Sequence, residues 1–520
     1  MSHPRPNHVS AIFVHAGAGF HSLHNERAHL EICESAVRIA MGILRNGGSA
    51  VDAVESAVML LEDAEITNAG YGSNMTLNGT VECDATIIDH LGRSGAAGAV
   101  PQVKNPVSLA RVIYEHSSKP LSLQRVPPNF LVGQGATDFA YEHGLVVLPH
   151  DALISPTAQE RWNRWRNDLE AAEAKLRQEK LAQSPNDQLA AFYRRPVNNH
   201  LAHLLATPSS DRPSSAASSP LAHPTHDTQT VSSNSSLSNH VNTSPLSSRS
   251  HKTGDGEYVD GATPHRSRSS GRRDQATDTR APGSESASGH STPRSGSAAA
   301  INAPRGGHPR CDGHVPCEAD TDRINDTVGA IAVDSNGNIA AASSSGGIGM
   351  KHRGRIGPAA LVGIGTSVIP VDPSDPEKTC VATVTSGTGE HIATTIAAQT
   401  CAARVYYSQR KCKDGSYEEV TEDEAISAMI QNDFMCHPGV KDSPCQGAIG
   451  VMSVKKTADA MFLYFAHNTD SFALASMSCE DKKPTSVMSR SRGNGTVAQG
   501  GRVYRRRRHR VPEATAGSHS

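Results

Sequence analysis

Apolar and small residues are concentrated in two parts of the chain, at about 10–150 and 325–480, and a long polar stretch separates them. The first part begins with an apolar run over residues 10–14 that leads into a glycine-rich turn, a pattern typical of a buried strand. Helical spacing of apolar residues and short β-branched runs predict the elements that follow. These are helices at about 26–45, 50–61 (capped by Ser49), 106–116 and 135–143, and strands at about 80–88 and 94–100.

The second part opens with a predicted β-hairpin. Residues 327–333 are small or β-branched, Ser335-Asn336-Gly337 supply turn chemistry, and residues 339–345 run back as a second strand. A two-residue Asn336-Gly337 loop would place Thr327 opposite Gly346. A three-residue loop with Gly337 in the left-handed conformation would place it opposite Ser345. In either register the Ser345 hydroxyl lies beside Thr327.

Beyond the hairpin, the pattern predicts a mixed set of strands and helices. Thr421 followed by Glu424 forms a capping box, which marks the start of a helix. The predicted elements are strands at about 359–365, 447–454, 461–467 and 471–477, and helices at about 389–407 and 421–434. With the first part, these elements allow two layers of helices to enclose two stacked sheets.

The stretch between the two parts predicts a helical extension and then disorder. Residues 157–183 have the charged, amphipathic pattern of a long helix, whereas residues 208–320 are rich in Ser, Pro, His, Gly and Arg. Because that segment has hardly any apolar side chains to bury, we expect it to be disordered, as we do the basic tail at 485–520. The 520 residues therefore predict one folded domain of roughly 300 residues with a large insert.

Charge and cysteine usage narrow the functional classes. Lys and Arg total 50 and Asp and Glu total 52, so the net charge of -2 gives no electrostatic reason to expect direct nucleic acid binding. The ten cysteines are scattered without a CxxC pair, which favours a reducing, intracellular setting. The start of the chain lacks an apolar signal region, and no apolar run reaches 18 residues. We therefore expect a cytoplasmic and nuclear protein with no membrane partner.

Asp326 and Thr327 form the junction between the polar stretch and the hairpin. Cleavage of the bond between them would give Thr327 a free α-amine, with a reference pKa of about 7.7–8.0, beside its own hydroxyl. One residue would then hold both a nucleophile and a base. The alternative is that Thr327 is an ordinary strand residue, which is the more common situation for an Asp-Thr pair.

Ten short motifs occur in a fixed order. They lie at 14–19, 61–63, 67–74, 82–85, 104–108, 326–330, 336–338, 343–347, 354–357 and 386–390. Together they resemble the type-2 asparaginase branch of the N-terminal nucleophile (Ntn) hydrolases and, within it, the taspases, threonine aspartases that cut proteins after Asp. The resemblance covers roughly residues 10–150 and 325–480 and implies an α+β fold, the four-layer αββα sandwich.

The resemblance also implies a cleavage site and an active site. Cleavage at Asp326-Thr327 would give an α subunit, residues 1–326 (folded at about 10–150), and a β subunit, residues 327–520 (folded at about 327–480). The implied catalytic residues are Thr327 as nucleophile and as base through its amine, Ser345 to polarise it, Ser386 and Gly387 for the oxyanion, and Asn68 close by. Arg355 would bind the substrate carboxylate, as a planar guanidinium does well.

Cofactors and partners follow from the same resemblance. No cofactor is expected, although the loop between Leu61 and Asn74 binds a monovalent cation through backbone oxygens in some family members. The two fragments would form a heterodimer that pairs into an (αβ)2 assembly. Protein substrates, nuclear regulatory proteins among them, are the expected partners.

One position departs from the plain asparaginases, which carry an Asp three residues after the arginine to hold the free α-amine of the substrate. Here that position is Pro358. An internal Asp of a polypeptide has no free amine, so the departure favours an endopeptidase that cleaves after Asp. The alternatives are an L-asparaginase or isoaspartyl peptidase that acts on small molecules, and an inactive scaffold of the same fold.

Three further residues invite catalytic roles that we interpret as structural. His15 follows the first strand, but an N-terminal nucleophile needs no histidine base. Glu82 and Asp84 lie on the same face of a predicted strand without partner chemistry for an acid/base pair.

Overall fold

Two stacked β-sheets form the centre of the protein in the computed structural model, which describes residues 9–182, 327–491 and 496–505. The strands are β1 (Ala11–Gly19), β2 (Cys83–Ile88), β3 (Ser94–Val100), β4 (Phe130–Val132), β5 (Val328–Val333), β6 (Ile339–Ser345), β7 (Thr366–Ile369), β8 (Cys380–Gly387), β9 (Gln409–Lys411), β10 (Tyr417–Glu419), β11 (Ile449–Lys456), β12 (Ala460–His467), β13 (Ser471–Ser478), β14 (Thr485–Arg490) and β15 (Ala498–Arg505). One sheet has the order β14-β13-β1-β5-β6-β2-β3-β4 and the other β15-β12-β11-β8-β7, and β9 pairs with β10 separately.

Helices cover the outer faces of both sheets. They are α1 (Glu26–Arg45), α2 (Ala50–Glu62), α3 (Pro106–Ser117), α4 (Gly133–Glu142), α5 (Pro156–Ala182), α6 (Gly389–Thr394), α7 (Ala397–Tyr407), α8 (Glu422–Ala428) and α9 (Pro438–Lys441). A π-helical segment, Met429–Met435, continues α8. The capping boxes Ser49/Asp52 and Thr421/Glu424 are both formed.

Alternate residues of the central strands enter different cores, as the period of a strand requires. On β1, Ile12 and Val14 pack with α1 and α2, whereas Ala11 and Phe13 face the other sheet. A third core lies between the outer face of the smaller sheet and helices α7 and α8. These cores separate four layers, and the predicted αββα sandwich is confirmed.

The β5–β6 hairpin adopts the second of the two predicted registers. Val333 pairs with Ile339 and Val328 with Ser344, so Thr327 lies opposite Ser345. Gly337 has a φ of 80°, the left-handed conformation that a three-residue loop with a bulge requires.

Three predictions in the second part were wrong. Thr485–Arg490 and Ala498–Arg505 are strands and not part of a disordered tail, because β14 pairs with β13 and β15 with β12. The predicted helix 389–407 is broken between α6 and α7, where Ile396 has a φ of 48°. Residues 359–365 contain a short 3-10 turn, Pro358–Ala360, and the strand begins later, at Thr366.

The helix predicted at 157–183 is α5. The predicted disorder at 208–320 and most of the basic run at 505–510 lie outside the described residues. Within the described ranges, no helix is both long and apolar enough to cross a lipid bilayer.

Candidate active site

Thr327 stands at the start of β5 in the centre of the larger sheet. It is 6% exposed, and β5 lies between β1 and β6. Asp326, the other half of the predicted cleavage site, lies outside the described residues. Thr327 therefore directly precedes a strand that is paired on both sides, by β1 from the first part of the chain and by β6 of the same hairpin.

Ser386, at the end of β8 in the facing sheet, is the hydroxyl bonded to Thr327. Its Oγ accepts the backbone N–H of Thr327 at 3.2 Å and that of Ala18 at 3.0 Å. A hydroxyl oxygen has two lone pairs, so accepting two bonds leaves its own proton free to donate. That is the property an oxyanion donor requires.

Gly387, the next residue, can only be glycine. Its φ is 143°, and a Cβ would lie 2.2 Å from the carbonyl oxygen of Ala448. A side chain there would push β8 away from β11 and move Ser386 with it.

Ser345 and Asn68 lie on the other side of Thr327. The Ser345 Oγ accepts the N–H of Gly347 at 3.0 Å. Asn68 is fully buried, and its side-chain Nδ2 donates to the carbonyl of Gly347 at 2.8 Å. The backbone carbonyl of Asn68 accepts the N–H of Gly346 at 2.7 Å. Asn68, from the first part of the chain, thus fixes the backbone immediately after Ser345, near Thr327.

Arg355 lies at the same end of the sheet, surrounded by glycines. A Cβ on Gly347, Gly357 or Gly389 would lie 3.1, 2.8 or 2.4 Å from a guanidinium nitrogen of Arg355. Arg355 Nε and Nη2 both donate to Oε1 of Glu390, at 3.0 and 2.9 Å. Gly347 connects the arginine to the Ser345 side, and Gly389 connects it to the Ser386 side.

Two buried carboxylates hold the loop that carries Arg355. Glu82 Oε2 accepts the N–H of Gly354 at 2.7 Å, and Asp84 Oδ2 accepts the N–H of Gly357 at 2.8 Å. Asp84 Oδ1 also accepts the N–H of Ala99 at 2.8 Å. Glu82 and Asp84 are therefore structural in the described geometry, each fixing one side of Arg355.

Lys351 supplies a buried positive charge that the sequence did not single out. It is 2% exposed, and its Nζ donates to the carbonyl of Glu82 at 2.7 Å. Burial raises the pKa of Asp84, and the charge of Lys351 is the largest effect that opposes this rise. In the sequence, Lys351 belongs to a basic run that is typical of a solvated loop, so no local signal marks it as buried.

His15 lies behind the nucleophile strand. It pairs with Gly329 in register, and its ring contacts Phe472 with the centroids 5.3 Å apart. Burial lowers the pKa of His15 to about 3, against an opposing interaction with the backbone of Thr327. The ring is therefore neutral at neutral pH, in keeping with a packing role.

Several backbone carbonyls of the loop from Leu61 to Asn74 accept side-chain hydrogen bonds. Thr67 Oγ1 donates to the carbonyls of Leu61 and Ala64, at 2.6 and 3.1 Å, and Arg161 donates to the carbonyl of Gly72 at 3.0 Å. Carbonyl oxygens are donors for a hard cation such as Na⁺ or K⁺. No group of three His, Cys, Asp or Glu side chains in the part of the chain that the structure describes forms a metal cluster. The monovalent cation in this loop stays a prediction.

Comparisons with known proteins place the chain in a family. A family model described as asparaginase (Asparaginase_2) matches residues 8–192 and 278–430, more than half of the chain. The isoaspartyl peptidase/L-asparaginase of Homo sapiens is 40% identical over 144 residues, which are 28% of this chain and 44% of the relative. That of Bos taurus is 37% identical over 165 residues, 31% and 50%, and the putative one of Dictyostelium discoideum is 36% identical over 148 residues, 27% and 40%.

The chain thus spans about half, or less, of the length of these relatives. These relatives are named isoaspartyl peptidase/L-asparaginase, which is the small-molecule alternative. The comparisons therefore support that alternative better than the taspase activity. The match to the family model covers the first folded part and the second as far as residue 430, including Thr327, Ser345, Arg355 and Ser386. The chain belongs to the Asparaginase_2 family, within the Ntn-hydrolase superfamily.

Proposed function

We propose that the chain is a threonine-type endopeptidase that cleaves polypeptides after Asp and is activated by cleavage between Asp326 and Thr327. The observation that carries this proposal is that the non-polar Pro358 follows Arg355 by three residues. Arg355 offers a guanidinium to a substrate carboxylate, whereas Pro358 offers no charge to a substrate amine. The nearest carboxylate in the described contacts of Arg355, Glu390, is bonded to Arg355 itself.

Activation would start at the Thr327 hydroxyl. Its oxygen attacks the carbonyl carbon of Asp326, the C–N bond to Thr327 breaks, and the freed amine takes up a proton while an ester forms. Water then hydrolyses the ester and releases the Asp326 carboxylate. The products are a free Thr327 amine and an unmodified Thr327 hydroxyl, which is the state needed for turnover.

Turnover would repeat this chemistry on a substrate. The Thr327 oxygen attacks the main-chain carbonyl carbon of the substrate Asp, and the C–N bond to the next residue breaks. The Thr327 amine takes the hydroxyl proton and passes it to the leaving amine. Ser386 would donate to the oxyanion together with the N–H of Gly387, and Ser345 would orient the nucleophile. Water hydrolyses the acyl-enzyme ester. The chain itself carries Asp before Thr327, so its own junction has the sequence that it would select in others.

A second candidate is an isoaspartyl peptidase or L-asparaginase that uses the same residues on small molecules. The names of the relatives support it. Pro358 argues against it, because a free α-amino acid would lack an ionic partner for its ammonium group.

Partners and compartment remain proposals as well. We expect polypeptide substrates, with nuclear regulatory proteins among them, an (αβ)2 assembly of the two fragments, and a cytoplasmic and nuclear location. Size measurement of the cleaved protein in solution tests the assembly.

The deciding experiment has two stages. Purified wild-type protein, Thr327→Ala and Thr327→Ser are first compared by gel and by N-terminal sequencing. A fragment that begins at Thr327 is expected in the wild type, none in Thr327→Ala, and slower formation in Thr327→Ser, which keeps a hydroxyl. Mature, active protein that is continuous across residues 326 and 327 would contradict the mechanism.

The second stage offers the cleaved protein three substrates. These are a peptide with one internal Asp, the same peptide with Asn in its place, and L-asparagine together with a β-aspartyl dipeptide. Cleavage of only the Asp peptide supports the endopeptidase. Ammonia from L-asparagine, or hydrolysis of the dipeptide, without cleavage of the Asp peptide supports the second candidate.

A further inference from the structure

The Arg355–Glu390 ion pair is notable for its hydrogen-bond geometry and for the different exposure of its two side chains. Two guanidinium nitrogens of Arg355 donate to a single oxygen of Glu390, so the contact is not the parallel two-by-two pairing of the strongest arginine–carboxylate bridges. The Arg355 side chain is 16% exposed and the Glu390 side chain 58% exposed. One partner is thus fixed and the other stands largely in solvent.

The surroundings fix Arg355 but not Glu390. Glycines 347, 357 and 389 lie against the guanidinium, and a Cβ on any of the three would contact it closely. In the part of the chain that the structure describes, the side-chain hydrogen bonds and ion pair of Glu390 are those with Arg355. Glu390 can therefore rotate away into water, whereas Arg355 cannot move without displacing backbone.

We propose that Glu390 is an internal competitor for the substrate carboxylate, occupying Arg355 until an aspartate side chain displaces it. This inference rests on the proposed function in so far as Arg355 is the substrate-binding arginine. Displacement exchanges one carboxylate for another, so it costs the Arg355–Glu390 pair and gains the Arg355–substrate pair. A ligand without a carboxylate cannot make that exchange. A carboxylate ligand can, but it binds more weakly than it would if Glu390 did not occupy Arg355.

The charge state of Glu390 is compatible with this role. Partial burial alone would raise its pKa, but the charge and the hydrogen bonds of Arg355 together bring the pKa of Glu390 below its usual value. Glu390 is therefore ionised throughout the neutral range and competes there at full strength.

The test measures binding rather than turnover. The probe is N-acetyl-L-aspartate, which resembles the aspartyl product, and its dissociation constant is determined by calorimetry for the mature protein. Removing the competitor in Glu390→Gln is expected to tighten binding about two- to fivefold, the range of a partly exposed ion pair. Glu390→Ala, which removes the side chain altogether, is expected to act in the same direction, and thermal unfolding checks that both variants are folded.

A matched control exists elsewhere on the chain. Arg490 donates through Nε and Nη2 to a single oxygen of Glu26, at 3.1 and 2.5 Å, which repeats the geometry of the Arg355–Glu390 pair. Glu26→Gln therefore removes an equivalent charge and ion pair at another place and is expected to leave probe binding unchanged. Arg355→Ala should abolish binding.

The outcomes separate this inference from the proposed function. Unchanged or weaker binding in both Glu390 variants, or no binding in any protein, overturns the inference, because Glu390 would then order Arg355 instead of competing for it. Tighter binding in the variants of a protein that cleaves no Asp peptide supports the inference and removes the endopeptidase. Cleavage of the Asp peptide with no change in probe affinity supports the endopeptidase and overturns the inference about Glu390.

Discussion

The hairpin that carries Thr327 and Ser345 and the loop that carries Arg355 are held by different kinds of interaction. The hairpin lies in the middle of an eight-stranded sheet, and buried backbone pairing on both sides fixes it. In the described structure, residues 353–357 around Arg355 belong to no strand, and the carboxylates of Glu82 and Asp84 bind backbone N–H groups there instead. The nucleophile therefore depends on the sheet, whereas substrate recognition depends on a few buried charges.

This difference predicts separable effects of mutations. Changes around the hairpin should act on the chemical step, and changes around the Arg355 loop should act on substrate binding and on stability. The four predictions below run from the largest expected effect to the smallest.

Asp84→Asn should have the largest effect, on stability and on KM together. It removes a buried carboxylate on which the charge of Lys351, itself 2% exposed, acts, and removing one of two interacting buried charges typically costs about 3–5 kcal/mol. The Arg355 loop also loses the charged acceptor for Gly357. Denaturant unfolding and steady-state kinetics measure the two effects. The double variant Asp84→Asn/Lys351→Met should recover part of the lost stability, and a double variant no more stable than Asp84→Asn would show that the two charges are not coupled.

Ser386→Ala should lower kcat and leave KM nearly unchanged. The loss of one oxyanion donor typically costs about 2.7–4 kcal/mol of transition-state stabilisation, or a factor of 10² to 10³ in kcat. Steady-state kinetics on the Asp peptide measures it. Ser476→Ala is the control, because it removes another buried serine, bonded to Tyr504 at 2.7 Å, away from the site. An effect of Ser386→Ala on KM alone would place Ser386 in binding rather than in chemistry.

Gly389→Ala should raise KM without a large change in kcat. The added Cβ would lie 2.4 Å from Arg355 Nη2, and overpacking of this kind costs about 1–3 kcal/mol. Gly135→Ala is a matched control, since Gly135 is also in the first turn of a helix but has open space around its Cβ position. Equal KM values for the two variants would mean that Arg355 moves without consequence, and would argue against its role in binding.

Acid should destabilise the protein through its buried histidines, with little effect at neutral pH. Burial lowers the pKa of His15 to about 3 and that of His467 to about 4, from 6.5. The unfolded chain thus binds more protons, so the stabilisation is complete above pH 6.5 and is lost as the pH falls toward 4 and 3. Each histidine contributes at most about 1.4 kcal/mol per pH unit.

Unfolding measured between pH 7 and pH 4.5 checks this expectation. His467→Gln should flatten the pH dependence, while the control His352→Gln, at an exposed position, should not. Equal pH dependence in wild type and His467→Gln would contradict the assignment.

The sequence predicted most elements that have strong local signals. The paired helices α1 and α2, the strands β11 to β13, the N-cap Ser49 and the Thr421/Glu424 capping box follow from periodicity and capping residues. The hairpin register was left between two choices, and the structure shows what decided it. Asp334 Oδ1 accepts the N–H groups of Asn336 and Asn338, at 2.9 and 3.0 Å, which stabilises the three-residue loop.

Elements that depend on distant partners were predicted wrongly. The helix break at Ile396 has no glycine or proline, but the first N–H groups of α7 donate to the carbonyls of Ile364 and Gly363. Strand β15 is polar, and it forms because Tyr504 packs on Phe13 and β12 supplies its hydrogen bonds. In both places tertiary contacts outweigh local propensity.

The sequence alone determined the kind of fold and most of the chemical groups, because small residues, turn residues and helix caps act on their near neighbours. Only the tertiary structure decided how those groups meet. Asn68 fixes the backbone after Ser345, Ser386 binds the N–H of Thr327, and Asp84 holds the loop of Arg355. These partners are far apart along the chain, and a hydrogen bond acts only over about 3 Å. Stacking two sheets is what brings them within that distance.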